Sequence, residues 1–456
     1  MGPRPGLKAR KSRPNARPRF ARRASSALKG THVSEFSSLG LNDHLLKVLA
    51  AQGLTTPTPI QAEAIPHVMT GRDLMGLAQT GTGKTAAFGL PLVHRLMTVG
   101  RPPAPATVRA LILAPTRELV AQIADTLSGF ARHTPVKVAS VVGGASLNKQ
   151  AERLSRGVDI LVATPGRLID LLDRQALTLA QASYLVLDEA DHMLDMGFIH
   201  ALRKIARHLT AKRQTLLFSA TMPKQIEELA GTYLNNPIKV QVSPPGKPAD
   251  KIEQAVHFVN QGDKALLLRD YLGKHPDEMA LVFGRTKHGS EKLAKLLTSW
   301  GFSVGSIHGN KSQNHRERTL AAFRSGELKV LVATDVAARG IDIPGVRHVY
   351  NYELPNVPDQ YVHRIGRTAR AGADGRAIAF CAPAEMEDLR AIEKLLKAPI
   401  PVAGGTPHAE TPAPQAPRGR APARRPGKPG PGKGGPAQAK PAAKKRHRPR
   451  RAAAQA

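Results

Sequence analysis

The chain reads as an α/β protein of two tandem parallel-sheet domains between disordered basic tails. Two observations predict this. Short apolar runs alternate with helix-like segments twice over, with a break at SPPGKPAD (243–250), and glycine-rich, acidic or basic signatures follow many of those runs directly. Strand-helix alternation of this kind argues for a parallel sheet covered on both faces. Such sheets bind ligands outside the carboxyl ends of their strands.

The first domain is expected over residues 34–242, with strands at Leu74 to Ala78, Ala110 to Ala114, Val136 to Val142, Ile160 to Ala163, Tyr184 to Leu187, Thr215 to Phe218 and Ile238 to Val242. Residues 243–250 break both periodicities and read as a linker. The second domain, 251–395, restarts the pattern at Ala255 to Val259, Ala280 to Phe283, Val304 to Ile307, Val330 to Ala333, His348 to Tyr352 and Ala377 to Phe380. Residues 396–456 are expected to be a disordered basic tail, because past about residue 400 the chain has no aromatic residue and too little apolar surface to fold. Residues 1–33 are expected to be a disordered basic arm.

Charge is concentrated at the two ends. Of a formal net charge of +32, residues 1–30 carry +10 and residues 401–456 carry +12. A polyanion is the expected partner. The single cysteine, Cys381, excludes an intramolecular disulfide and any Cys-rich metal site. No run of about 18 apolar residues is present, so no membrane span is expected. The N-terminus lacks the apolar core of a secretory signal, and Pro3, Pro5, Pro14 and Pro18 interrupt the amphipathic helix of a transit peptide. A cytoplasmic location is therefore expected.

Residues 78–85 read AQTGTGKT after an apolar strand. Gly81, Thr82 and Gly83 let successive amides face an anion, and Lys84-Thr85 opens a helix whose positive end points the same way. Lys84 is placed for the β and γ phosphates of ATP and Thr85 for Mg2+. The strict pattern has Gly at position 78, which is Ala here, and alone the motif is also compatible with a chance Gly-rich loop. The second element is Asp188-Glu189-Ala190-Asp191 after Tyr184 to Leu187. Asp188 is placed to hold the metal and Glu189 to orient or deprotonate the attacking water. An isolated acidic tetrad would read as a solvated loop, but its pairing with the glycine-rich loop favours catalysis. The third element, YVHRIGRTARAG (361–372), presents His363, Arg364, Arg367 and Arg370. Arg367 and Arg370, three residues apart, are placed to point together from one helical face onto transition-state charge.

These segments, with GLTTPTPIQ (53–61), PTRELVAQ (115–122), GG (143 and 144), TPGRL (164–168), SAT (219–221) and VATDVAARGID (332–342), closely resemble the DEAD-box ATP-dependent RNA helicases of superfamily 2 over residues 34 to about 395. The DEADHMLDMGF context and the basic ends are most similar to the bacterial RhlE-type branch. The resemblance implies two RecA-like domains and RNA-stimulated ATP hydrolysis that separates short duplexes or remodels RNA-protein complexes. It further implies that Gln61 reads the adenine edge, that Phe36 stacks on the ring, and that Ala78, Gln79 and Thr80 complete the phosphate loop. Asp342 would contact the ribose, and Arg367 and Arg370 would be arginine fingers. Ser219, Thr221 and His363 would couple hydrolysis to closure. RNA contacts carry over to Pro115, Thr116, Arg117, Gly143, Gly144, Thr164, Gly166 and Arg167, and in the second domain to Arg285, Gly309, Gln313, Arg316 and Thr334. Backbone recognition of this type is largely independent of base sequence.

Two departures stand out. Ala369 occupies a place where many members have glycine, and Arg285 lies at a variable position. The competing functional reading is an ATP-gated RNA clamp or annealing scaffold with little unwinding activity. Ribosomal or RNA-decay complexes are the partners the resemblance suggests, and the oligomeric state is left open.

Overall fold

The structure, a computed structural model, describes residues 2, 35–79, 81–242, 252–338, 343, 345–369 and 373–407. The N-terminal arm beyond residue 2, the linker 243–250, Thr80, Asp342, Arg370 and the chain beyond 407 lie outside the described residues. Among the described residues fourteen strands form two sheets of seven. In the first these are β1 (Leu74–Leu77), β2 (Val108–Leu113), β3 (Val138–Val141), β4 (Val158–Ala163), β5 (Tyr184–Leu187), β6 (Gln214–Ser219) and β7 (Ile238–Gln241). In the second they are β8 (Ile252–Phe258), β9 (Met279–Gly284), β10 (Val304–Ile307), β11 (Val330–Thr334), β12 (Val346–Asn351), β13 (Gly375–Cys381) and β14 (Val402–Gly404). Tyr184 to Leu187 and Val304 to Ile307 coincide with the predicted runs. Other strands gain polar ends such as Gln214, Ser219 and Thr334, because a ladder needs backbone donors and acceptors rather than apolar side chains.

The strand order is β3-β4-β2-β5-β6-β1-β7 in one sheet and β10-β11-β9-β12-β13-β8-β14 in the other, every neighbouring pair parallel. The second order is the first shifted by seven, so one topology is built twice. Each sheet is buried on both faces, as parallel sheets require. In β2, Ala110 and Ile112 enter the apolar cluster on one face with Phe88, Leu127 and Phe218. Leu111 and Leu113 enter the opposite cluster with Leu168, Leu185 and Ile205. Two further clusters flank the second sheet in the same way.

The expected end of the second domain at residue 395 is corrected. The last helix runs Met386–Leu396, and β14 then pairs with β8 through Val402 opposite Val256. Val256 N–H donates to the Pro401 carbonyl at 2.8 Å. Gly405 follows at φ 72°, where an added Cβ would lie 2.0 Å from the Phe258 carbonyl oxygen. A three-residue edge strand set among prolines and glycines is too short to show periodicity, so its composition resembled the tail. Among the described residues no helix is long and apolar enough to cross a membrane.

Candidate active site

The sheet order determines which signatures meet. β5, β6 and β1 are consecutive neighbours, so the acidic tetrad, the Ser219 to Thr221 turn and the glycine-rich loop lie side by side at their carboxyl ends. The remaining signatures after β2, β4 and β3 occupy the other half of the same edge.

In the glycine-rich loop Gly81 and Gly83 adopt φ of 85° and 91°, a left-handed backbone that glycine enters without a Cβ penalty. Lys84 begins the helix Lys84–Met97 and is buried. Its ammonium donates to the Ala78 carbonyl at 3.2 Å and stands 3.8 Å from Asp188 Oδ1. Ala78 N–H donates in turn to the Ser219 carbonyl, and Thr82 Oγ1 donates to the Gln79 carbonyl. Gln61 holds the loop from outside: its Oε1 accepts from Thr58 N–H at 2.9 Å and its Nε2 donates to the Gly83 carbonyl at 3.1 Å. Thr58 Oγ1 donates to the Thr82 carbonyl. The amide expected at an adenine edge is thus a brace between the helix Pro59–Met69 and the phosphate loop. Phe36 is 5% exposed and packs in the cluster with Leu39, Leu45 and Ile60, a core position rather than an open stacking surface.

Asp188 and Glu189 are each 2% exposed. Burial pushes the Asp188 carboxyl up to about 6, against the pull of Lys84. Burial acts on Glu189 in the same direction, but the His192 ring, Lys84 and Arg367 outweigh it and hold that carboxyl well below the usual range. Glu189 has φ 53° and ψ 53°, a left-handed conformation unusual for a side-chain-bearing residue and of a kind that concentrates at active sites. Asp191 Oδ2 accepts from the N–H groups of Ala220 and Thr221, each at 3.0 Å, and from Thr221 Oγ1 at 3.1 Å. Ser219 Oγ donates to the Thr221 carbonyl at 2.7 Å. The tetrad and the Ser219 to Thr221 turn therefore form one hydrogen-bonded unit.

The second sheet reaches this unit through the helix Pro358–Ile365 and the turn after it. His363 Nδ1 and His192 Nε2 are hydrogen-bonded at 2.7 Å, with the rings edge to face, and His192 Nδ1 is 2.9 Å from Glu189 Oε2. His363 Nε2 lies 3.8 Å from Asp191. Burial pushes the His363 ring down, reinforced by the adjacent His192. Arg367 is 4% exposed and close enough to lower the Glu189 carboxyl. The helix ends at Ile365 with Gly366 as its cap, so Arg367 lies in the following turn rather than on a helical face, and Arg370 lies outside the described residues. Arg364 proves structural. It is 2% exposed, pairs with both Asp335 oxygens at 2.6 and 2.7 Å, and donates to Asn351 and to the Glu353 carbonyl.

Several residues expected to contact RNA meet one another across the cleft. Arg117 donates to Gln313 Oε1 at 3.2 Å and covers Gly143 and Gly144, where a Cβ on Gly144 would sit 2.2 Å from its guanidinium. Arg316 pairs with Glu118 at 2.9 Å. Thr116 and Thr164 precede the helices Arg117–Phe130 and Pro165–Asp173, with Pro115 buried at the first start and Gly166 exposed at the second. Arg167 donates to the Ala145 carbonyl. Gly309 lies in the turn after β10, and Thr334 ends β11. Arg285 departs from expectation. Its guanidinium pairs with Glu385 at 3.0 Å and Asp388 at 2.7 Å and also binds the Leu354 carbonyl. It ties together elements of the second domain. Sequence reasoning missed His192, Asp191 and Glu118. All three lie inside quoted segments, Asp191 and His192 in DEADHMLDMGF and Glu118 in PTRELVAQ, but nothing local marks their partners across the cleft.

Two parallel sheets, one presenting phosphate-loop and carboxylate groups at its carboxyl-terminal edge and the other bringing an arginine up to them, define a two-domain nucleotide hydrolase. The DEAD/DEAH box helicase family profile matches residues 58–229 and the helicase conserved C-terminal domain profile matches residues 263–372. The RNA helicase CrhR of a Synechocystis species is 45% identical over 82% of this chain and 75% of its own length. The ATP-dependent RNA helicase CshA of Listeria monocytogenes is 44% identical over 80% and 69%. Among solved structures, S. cerevisiae Dbp5 bound to RNA and ADP BeF3 aligns with a TM-score of 0.73 and 33% identity, covering 81% of this chain and 95% of Dbp5. Mss116p bound to ssRNA and AMP-PNP aligns at 0.74 and 28% identity, covering 82% and 78%. The chain belongs to the DEAD/DEAH box helicase family.

Proposed function

We infer that the chain is an ATP-dependent RNA helicase whose hydrolysis of ATP to ADP and phosphate drives local separation of short RNA duplexes or remodelling of RNA-protein complexes. The observation that carries this reading is the cross-cleft chain from Glu189 through His192 to His363, with Arg367 buried beside it. Groups from both sheets converge on the acidic tetrad, so chemistry there depends on closure. The relatives named as RNA helicases, and the RNA-bound forms of Dbp5 and Mss116p, support RNA as the polymer.

The proposed catalytic set is Lys84, Asp188, Glu189, Arg367 and Arg370, with Thr85 and Asp188 holding Mg2+. The site fits that ion: Asp188 is a buried carboxylate whose charge is only partly offset by Lys84 at 3.8 Å. Bound there, Mg2+ supplies neutralisation of phosphate charge. Lys84 exchanges the Ala78 carbonyl for a phosphate oxygen. Glu189 orients the attacking water, with His192 fixing its carboxylate, and Arg367 places its charge on the developing transition state. RNA laid across Arg117, Gly144, Gln313 and Arg316 would hold the halves together while the reaction runs.

The DEADHMLDMGF context and basic ends support placement in the RhlE-type branch. Ribosomal or RNA-decay complexes and a cytoplasmic location complete the reading. Replacing Arg367 by Ala is expected to abolish RNA-stimulated ATP hydrolysis while leaving RNA binding in place. Full stimulation in that variant would exclude a catalytic role across the cleft. A strand-separation assay beside the ATPase assay distinguishes unwinding from an ATP-gated clamp.

A further inference from the structure

We propose that His275, Glu278 and His348 form a binding site for one divalent transition-metal ion of the zinc class, at the amino-terminal edge of the second sheet. The three residues come from two elements distant in sequence. His275 and Glu278 lie in the turn that follows the helix Lys264–Gly273, and His348 lies on β12. One donor atom from each falls within 4.8 Å of the others. The site lines a cavity of about 730 Å³ at the starts of β8, β12 and β13. ATP chemistry is assigned to the opposite, carboxyl-terminal edge.

The donor set selects the ion. Two imidazole nitrogens and one carboxylate oxygen suit zinc, cobalt, nickel or copper rather than calcium or magnesium, which favour oxygen ligands. Metal-ligand bonds of about 2.0–2.2 Å in a tetrahedral arrangement place ligand atoms roughly 3.3 Å apart. His275 Nδ1 and Glu278 Oε2 are 3.4 Å apart. His348 Nε2 is hydrogen-bonded to the same Glu278 oxygen, a contact that the ion would replace. Glu278 has room to swing outward because its side chain is 45% exposed, whereas His348 is 4% exposed and fixed within the sheet. The turn is held by backbone bonds from His275 N–H to Leu272 and from Glu278 N–H to His275.

Nearby guanidinium groups are already engaged, Arg376 with Glu253 at 3.0 Å and Arg347 with the Asp374 carbonyl at 3.0 Å. Three protein ligands leave a fourth position to water. The bound ion would fasten the helix Lys264–Gly273 to β12.

The test uses the full chain without a histidine tag. Titration with Co2+ is expected to produce the visible bands of a tetrahedral N/O site at one equivalent. Zn2+ should displace the cobalt and raise the melting temperature. His275→Ala and Glu278→Gln, both at partly exposed positions, are each expected to weaken Zn2+ binding at least tenfold and to remove the thermal shift. RNA-stimulated ATP turnover without added zinc should be unchanged in both. Absence of the cobalt bands in the wild type would overturn the proposal. So would equal Zn2+ affinity in wild type and both variants, which would place the ion elsewhere in the chain.

Discussion

Replacing Asp188 by Asn is expected to stabilise the ligand-free protein while destroying its ATPase. Asp188 is 2% exposed, and burial raises its carboxyl from 3.8 to about 6 despite Lys84 at 3.8 Å. Each tenfold change in proton affinity corresponds to about 1.4 kcal/mol, so the ionised carboxylate costs the folded state about 3 kcal/mol. The folded-state value lies above the unfolded one. Wild-type stability relative to the variant is therefore full below about pH 4 and is lost as pH rises through about 6. Roughly half of the difference is present at about pH 5 and all of it by about pH 8. Asn is nearly isosteric and can still accept the Glu189 N–H that Asp188 Oδ1 receives at 3.0 Å. Urea denaturation of both proteins across this range measures the effect directly. A variant less stable than wild type at about pH 8, or a difference independent of pH, would refute the reasoning. If the result holds, the same uncompensated charge that prepares the site for Mg2+ is what destabilises the ligand-free fold.

Three further outcomes are expected. Ala369 sits at φ 55°, a left-handed conformation that costs a non-glycine residue about 1–2 kcal/mol. Ala369→Gly should therefore raise stability by about 0.5–1 kcal/mol after the added entropy of the unfolded chain is counted, and urea denaturation would show no gain if that strain were absent. Removing residues 408–456 should flatten the salt dependence of RNA binding by about 0.7 logarithmic units for each phosphate that the tail neutralises, with basal ATP turnover unchanged. Removal from residue 401 should destabilise the second domain as well, because it deletes β14. An unaltered salt slope in the shorter deletion would show that these basic residues do not touch RNA.

Much of the molecule was determined by local sequence. The alternation of apolar runs and helix-like segments reproduced thirteen of the fourteen strands found among the described residues, since periodicity and turn chemistry operate within windows of about ten residues. Signatures built from consecutive residues were equally readable, because a glycine-rich loop or a strand-end carboxylate acts through its own backbone geometry. The strand that escaped, β14, has three residues and no period of its own. The repeat of one topology in both sheets shows it to be the counterpart of β7.

Only the tertiary structure decided which signatures share a site. The order β5-β6-β1 gathers Asp188, Ser219 and Lys84, which the sequence separates by up to 135 positions. It also sorted the basic residues, turning Arg364 and Arg285 into internal ties while leaving Arg367 beside Glu189. The bond between His192 and His363 joins residues 171 positions apart. Neither histidine carries a local mark of its partner, because hydrogen bonding and desolvation depend on what the packed chain brings within about 3 Å.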